Sequence, residues 1–436
     1  MFLPPFYPPV VYPKPVVPIQ SQALVTNYLA FQRPDFNAPS VARYPQQAFP
    51  VMPVMNVLQR VNNPAGEGIS TQPVRLIPAH WRVFPTGAYN AITDVPGIQV
   101  GHRLVSRQAS PKIQTGVTAI VPNAALLTGN NTGVKPANLA NTGFRAAGIM
   151  LNGNGELTGM GPLTTAGVLN SPIILTNTYA VGAAHDGVFR WFARHYPGEW
   201  NGQLPVVGEC WDGFFSTIEE SVLTPEDTVA VLDNVRSGPV AQGRTGAGSG
   251  MRSFEMHAGI GSSSRKVTLN GREYTVGVLV NSNHSRLPQL TPLFRTALEG
   301  HWGELLESVR DRDNRDKAFR SLLPPSTRQG SIMVVIATDL PLDSQALHQL
   351  AERAGLGIGN TGSTMATTSG DFAVAFSTAN PLRLGDEASA VLPPASVVHP
   401  DALSPILQAT VEAVTEAQLN AIVAAHTPGS VSNPAR

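Results

Sequence analysis

The strongest constraint on this chain is a set of short, continuously apolar runs that recur with no regular helical spacer between them. Thr115–Val121, Ser171–Thr176, Val276–Val280 and Ile332–Ala337 are each five to seven residues long and rich in Val and Ile. Runs of that length and composition read as buried strands. Ala91–His102 reads as a turn feeding an alternating strand. Three stretches carry helical spacing instead. Ala183–His195 turns Val188, Trp191 and Phe192 inward, and Ser344–Ala354 does the same with Leu347, Leu350, Ala351 and Ala354. Pro405–Ala425 stacks Leu407, Val411, Val414, Ile422 and Val423 on one stripe. Buried strands that one layer cannot cover need helices on their outer faces. The expected class is therefore α/β (α+β), two packed sheets enclosed by helices, in preference to a doubly wound parallel sheet.

Composition narrows the function. The 30 basic and 30 acidic residues cancel over 436 positions, and only 14% of residues are charged. A polyanion partner would call for a basic surplus, so no nucleic acid is expected. No apolar run approaches the length of a membrane span. The single cysteine, Cys210, excludes an intrachain disulfide framework and is compatible with a reducing compartment. It reads as a small buried residue before it reads as a thiol nucleophile. Many of the 38 prolines crowd residues 1–75, which show no helical or alternating period and favour extended or disordered structure. That arm lacks the basic and apolar regions of a signal peptide, so a cytoplasmic location is expected, with the periplasm not excluded. Residues 80–436 form the expected single folded domain, with an irregular linker at 237–248.

Chemistry concentrates at Gly243-Arg244-Thr245-Gly246-Ala247-Gly248-Ser249-Gly250-Met251. Glycines around Ser249 permit positive φ and close backbone approach. One reaction that needs this is attack of the Ser249 hydroxyl on the carbonyl of Gly248. An N→O acyl shift and hydrolysis would then leave Ser249 as a new N-terminus, whose amine serves as base for its own hydroxyl. The other reading is an ordinary flexible loop. A phosphate-binding loop is excluded, because G-x-x-x-x-G-K-S/T needs a Lys where Ser249 stands. Gly357-Ile358-Gly359-Asn360-Thr361-Gly362 fits a dinucleotide fingerprint in form only. It follows a helix, and Gly355 or Gly357 is expected to end that helix as a left-handed cap.

Several separated motifs then converge. They are Asn90–His102, Thr115–Thr118, Asn152–Gly159, Leu175–Thr178, Val207–Gly213, Gly248–Met251, Gly259–Arg265, Ser369–Asp371 and Ala375–Thr378. Together, and in this order, they resemble the self-processing L-aminopeptidase/D-esterase family, which includes the β-peptidyl aminopeptidases. The resemblance covers roughly residues 80–425. It implies an Ntn-hydrolase-like four-layer αββα sandwich with its own connectivity, self-cleavage between Gly248 and Ser249, and oligomers of paired α and β chains. It also implies an acyl-enzyme on Ser249 and no metal or organic cofactor.

Other roles follow from the same resemblance. Ser282, on the strand after Gly259–Arg265, is expected to relay a proton or to position the Ser249 amine. His284 is the second expected catalytic partner, standing where some members carry a carboxylate; a solvated His beyond a strand end is its other reading. Glu156 could bind a substrate ammonium, or could simply cap its turn. Asn154 and Ser216 are the candidate oxyanion donors, Ser216 standing where the family commonly has Asn. Asp212 and Glu209 read as structural acids in a turn. The expected substrates are small peptides, amides or esters, with no membrane partner. Alternatives left open are an endo-acting hydrolase of amide oligomers, an acetyl-transferring enzyme, and an unprocessed binding or structural homologue.

Overall fold

The computed structural model describes residues 58–62, 82–122, 139–199, 202–298, 330–384 and 397–426. The chain divides into Met1–Met52 and Pro53–Arg436, and all described residues lie in the second unit. The expectation for residues 1–75 falls outside them, except at 58–62.

In chain order the strands begin with β1 (Gln59–Asn62), β2 (Ile98–Arg107), β3 (Ile113–Pro122), β4 (Thr142–Gly153) and β5 (Val168–Leu169). Next come β6 (Ile173–Asn177), β7 (Val206–Cys210), β8 (Arg252–Ser253), β9 (Met256–His257) and β10 (Gly259–Leu269). The last four are β11 (Arg272–Asn283), β12 (Gly330–Thr338), β13 (Ser369–Ser377) and β14 (Leu382–Arg383). The α-helices are α1 (Val181–His195), α2 (Pro225–Leu232), α3 (Pro292–Leu298), α4 (Ser344–Thr361) and α5 (Leu403–His426).

One sheet runs β1-β2-β3-β6-β7 and the other β10-β11-β12-β13-β4-β14, with β5 also paired to β4. Both are mainly antiparallel. The parallel pairs are β6–β7 and β12–β13. Helices α1 and α2 lie on the first sheet, and α4 and α5 on the second. Strand β12 shows why the layers stack this way. Met333, Val335 and Ala337 enter the core between the sheets with Leu175 and Val207. Ile332, Val334 and Ile336, on the opposite face, pack with Leu347 and Leu350 of α4 and Ile406 of α5. A strand buried on both faces needs apolar residues at every position, and its pleat divides them between two cores. The αββα sandwich expected from the sequence is the observed architecture, and no described helix is long and apolar enough to cross a membrane.

Helix starts follow local chemistry. Asp343 accepts a hydrogen bond from the Ala346 N–H at 2.8 Å at the head of α4. Asp227 reaches back to the Thr224 N–H at 3.0 Å at the head of α2, behind Pro225. Asp227 is buried and also accepts from Arg103 at 2.7 Å and Arg60 at 3.0 Å, which ties β1 and β2 to α2.

The expected end of α4 is overturned. Neither Gly355 nor Gly357 stops it; the helix continues to Thr361, and Gly362, at φ 111°, is the left-handed cap. The physical reason is packing. A Cβ on Gly357 would lie 2.6 Å from Val414 Cβ, so the missing side chain lets α4 cross α5 closely. That contact sets up a competition in Gly357→Ala. Alanine gains about 1 kcal/mol of helix propensity, whereas overpacking a close contact costs about 1–3 kcal/mol. The variant should melt below the wild type in a thermal scan, and a raised midpoint would show that the crossing can simply widen.

Candidate active site

The segment before Ser249 is fixed by backbone pairing. Gly243 N–H donates to Ile260 O at 2.6 Å, and Ile260 N–H returns a bond to Gly243 O at 2.9 Å. A single 3₁₀ turn, Gly246–Gly248, follows. The Ala247 N–H donates to Thr118 Oγ1 on β3 at 3.1 Å, and that hydroxyl pairs with His102 Nδ1 on β2 at 3.0 Å. Burial pushes His102 down to about 4, so its ring is neutral at pH 7. Gly248 has no room for a side chain: a Cβ there would lie 2.4 Å from Ile260 N.

Ser249 is 2% exposed. Its Oγ donates to Gly246 O at 2.6 Å, so the hydroxyl folds back over the turn that precedes it. The Gly248 carbonyl accepts from the Met251 N–H at 3.3 Å, a donor aimed at the carbonyl that self-cleavage would attack. After Ser249 the chain is tied to β11. Arg252 N–H donates to Asn283 Oδ1 at 2.8 Å, and Ser253 Oγ accepts from the His284 N–H at 3.1 Å.

The structure brings only some of the sequence-derived residues together. Ser282 Oγ shares a 2.8 Å hydrogen bond with Ser253 Oγ. His284 is buried, not solvated: Nε2–H donates to Gln418 Oε1 of α5 at 3.0 Å, and Nδ1 pairs with Ser285 Oγ at 2.7 Å. Neither Ser282 nor His284 is hydrogen-bonded to Ser249. The pleat of β11 explains this. Val278 and Val280 face the helices while Leu279 faces the other sheet, so Ser282 and His284 point helix-ward and Asn281 and Asn283 point inward. Ser216 Oγ accepts from the Gln114 N–H at 3.1 Å, on the stretch of β3 that Gly250 touches. Asn154 is exposed, its Nδ2 donating to Thr368 O at 2.9 Å.

A cleft of about 270 Å³ lies alongside, lined by Asn154, Gly155, Glu156, Thr178, Glu209, Trp211, Gly330 and Ser331. Ser249 does not line it. Asn283 connects the two, donating from Nδ2 to Trp211 O at 2.8 Å while accepting from Arg252. In the cleft, Glu209 Oε1 accepts from the Glu156 N–H at 3.1 Å, and Oε2 accepts from the Thr178 hydroxyl. Burial raises the Glu209 carboxyl, and the neighbouring Glu156 adds to this against those two hydrogen bonds.

Sequence reasoning placed Glu209 and Asp212 as structural acids, and the structure puts Glu209 in the cleft. The available signal was a carboxylate in the otherwise apolar strand Val206–Cys210, which is expensive to bury without a partner. Asn281 was missed altogether. It is fully buried, and neither amide atom has a hydrogen-bond partner among the described residues. Cys210 is the inert buried thiol expected, donating to Asn281 O at 3.4 Å, with burial raising it well above its usual range. Among the described residues no cluster of three His, Cys, Asp or Glu is placed to hold a metal ion.

A family description, peptidase family S58, matches residues 90–434. The chain belongs to peptidase family S58. The S58 chain is 35% identical over 350 residues to the beta-peptidyl aminopeptidase BapA of Sphingosinicella microcystinivorans, across 78% of this chain and 83% of that one. It is 34% identical over 363 residues to BapA of Sphingosinicella xenopeptidilytica, across 80% and 84%. The solved L-aminopeptidase D-Ala-esterase/amidase from Ochrobactrum anthropi is 34% identical, with a TM-score of 0.66 over 79% of this chain and 88% of that one. That structure is described as a prototype for the serine aminopeptidases and a new variant among the Ntn hydrolase fold. This S58 chain is accordingly a peptide hydrolase built on that fold.

His284 gives a prediction on stability. Burial holds its pKa near 4, against 6.5 in the unfolded chain. The unfolded chain therefore binds the extra proton first, and stability from neutral His284 is lost as pH falls from about 6.5 to 4. His284→Gln removes this dependence. The advantage of wild type over variant should shrink on going from pH 7 to pH 4.5, by at most about 1.4 kcal/mol per pH unit. A constant difference in melting temperature would rule out a buried neutral imidazole.

Proposed function

We propose that this S58 chain is a serine aminopeptidase and amidase, formed by residues 80–436, that cuts itself between Gly248 and Ser249. Ser249 then attacks the acyl carbon of a peptide, amide or ester bond next to a free amino terminus. An acyl-enzyme forms, and water releases the amino acid. One observation carries this reading: the buried Ser249 hydroxyl is folded back onto the Gly246–Gly248 turn, while an acid-lined cleft is linked to its segment through Asn283. A nucleophile so placed cannot meet a substrate in the continuous chain, and parting of the 248–249 bond would expose it. The liberated amine, with an ordinary pKa of about 7.7–8, is the base for the hydroxyl.

Glu209 and Glu156 support a requirement for a free amine. Two carboxyl groups face one cleft, and Glu209 is buried, where a charge-assisted hydrogen bond is strongest. Ser282 and His284 act at one remove, by fixing the Ser253 end of the segment that carries Ser249. Asn154 lines the cleft and Ser216 holds the Gln114 N–H on the stretch of β3 against Gly250; these two are the proposed oxyanion donors. We also infer a homo-oligomer of processed chain pairs and a cytoplasmic setting, which the single cysteine supports.

Ser249→Ala should abolish both self-cleavage and hydrolysis, since one oxygen performs both. On a denaturing gel the wild type should give fragments 1–248 and 249–436, the second beginning Ser-Gly-Met-Arg by N-terminal sequencing. Two matching bands from the Ala variant would assign the cut to another protease. Substrate polarity is tested with an aminoacyl p-nitroanilide and its N-acetyl form. Losing the ammonium contact, roughly 1.5–3 kcal/mol, should lower kcat/KM about 10- to 150-fold, and Glu209→Gln should narrow that gap. Equal rates on the two substrates would favour endo-acting hydrolysis of amide oligomers.

A further inference from the structure

Among the described residues, Asp212 is the buried acid beside the nucleophile's segment that the scheme above leaves without work. It is fully buried. Asn177 Nδ2 donates to its Oδ2 at 3.2 Å, and the Thr115 hydroxyl also holds the carboxyl. Its Oδ1 has no hydrogen-bond partner among the described residues. The carboxyl is thus fixed by one oxygen and idle at the other, an arrangement that a protein retains at a cost. It also sits against the chain immediately after Ser249. A Cβ on Gly250 would lie 2.7 Å from Asp212 Cβ and 2.4 Å from Gln114 O, so the backbone at 250 is pressed onto this residue.

We infer that Asp212 is a positioning residue, the carboxylate that receives the α-ammonium of Ser249 once the Gly248–Ser249 bond is cut. This rests on the self-processing reading above. In the cut, the Ser249 Oγ–carbonyl bond forms, the C–N bond breaks, and the hydroxyl proton passes to the departing nitrogen. Water then hydrolyses the ester, leaving a Gly248 carboxylate, a free Ser249 hydroxyl and an amine that takes up a proton from water at neutral pH. The reaction therefore creates a cation one residue from a buried acid. Among the described residues no cation takes that place in the uncut chain. The charged group that acts on Asp212, among the described residues, is Glu209 on its own segment; His257 stacks on the nearby Phe215, and His102 lies on β2 behind Thr118. Arg252 lies over Phe214 and pairs with Glu255 at 3.8 Å. Strand β3 and the end of β6 present only Gln114, Thr115 and Asn177. Burial, opposed by the Thr115 and Asn177 hydrogen bonds, leaves Asp212 titrating at about 7 in the uncut chain, and a new ammonium alongside would draw it down. Held by Oδ1, the amine is kept next to the Ser249 hydroxyl it must deprotonate.

The test compares wild type, Asp212→Asn and Thr115→Val, each checked for cleavage on a denaturing gel and assayed from pH 5 to 9. Removing the carboxylate lowers the pKa of the amine, so the acid limb of kcat/KM should move about one unit or more toward lower pH in Asp212→Asn. Loss of alignment should lower kcat about tenfold or more with KM little changed. Thr115→Val, which keeps the carboxyl but frees it, should move both in the same direction by less. It also stands in if Asp212→Asn fails to fold. A processed variant with an unmoved acid limb and wild-type kcat would overturn the role of Asp212 while leaving self-processing intact. An uncut wild-type chain would remove the reading beneath it instead.

Discussion

The pairing of Gly243 with Ile260 is the interaction on which the arrangement around Ser249 depends. Two hydrogen bonds bring the approach to the nucleophile onto the start of β10, at the rim of the second sheet. On the other side of Ser249, Asn283 and Ser282 of β11 take hold of Arg252 and Ser253. Thr118 reaches across from the first sheet to the turn itself. The peptide between Gly248 and Ser249 is therefore gripped from both flanks and from both sheets. A bond held this way keeps its geometry without any contribution from the solvent.

Three buried carboxyl groups lie on or just beyond β7 and β13. Glu209 and Asp212 precede the nucleophile's segment and Asp371 sits on β13 opposite Ile332; burial raises all three, to about 7 for Asp212 and about 6 for Asp371. The buried Arg265, by contrast, is engaged by Glu412 and Glu416 on α5, on the helical side of the second sheet. An acidic interior facing a narrow cleft favours neutral or cationic guests over anions, because desolvating a second negative charge there adds to a penalty already present.

The architecture was legible because its signals are local. Buried strands announce themselves as unbroken apolar runs, and the stripe from Leu407 to Val423 marks the long helix α5. The end of α4 was illegible for the complementary reason. Glycine at 355 and 357 reads as a stop, and only the crossing with Val414 shows why it is not one. The site divides in the same way. Ser249 stands out because three glycines flank it, a property of neighbours in sequence. Ser282 and His284 were placed by likeness, and sequence alone does not reveal that the pleat of β11 turns them toward α5 while Asn281 and Asn283 face inward. Asp212 looked like a turn acid because nothing local says that its surroundings are dry, whereas Glu209 carried a local signal in the apolar strand around it.

The place of β4 in the second sheet has a mechanical consequence. This strand precedes Ser249 in the chain, yet it lies between β13 and β14, both of which follow Ser249. Its ladder with β13 runs from Gly153 opposite Gly370 to Ala146 opposite Phe376. Breaking the chain at residue 248 would thus leave the first sheet whole in the leading piece, while β4 of that piece stays inside a sheet built mainly from the trailing one. Such a break trades a covalent link for an interlock, because separating the pieces would mean drawing β4 out from between β13 and β14.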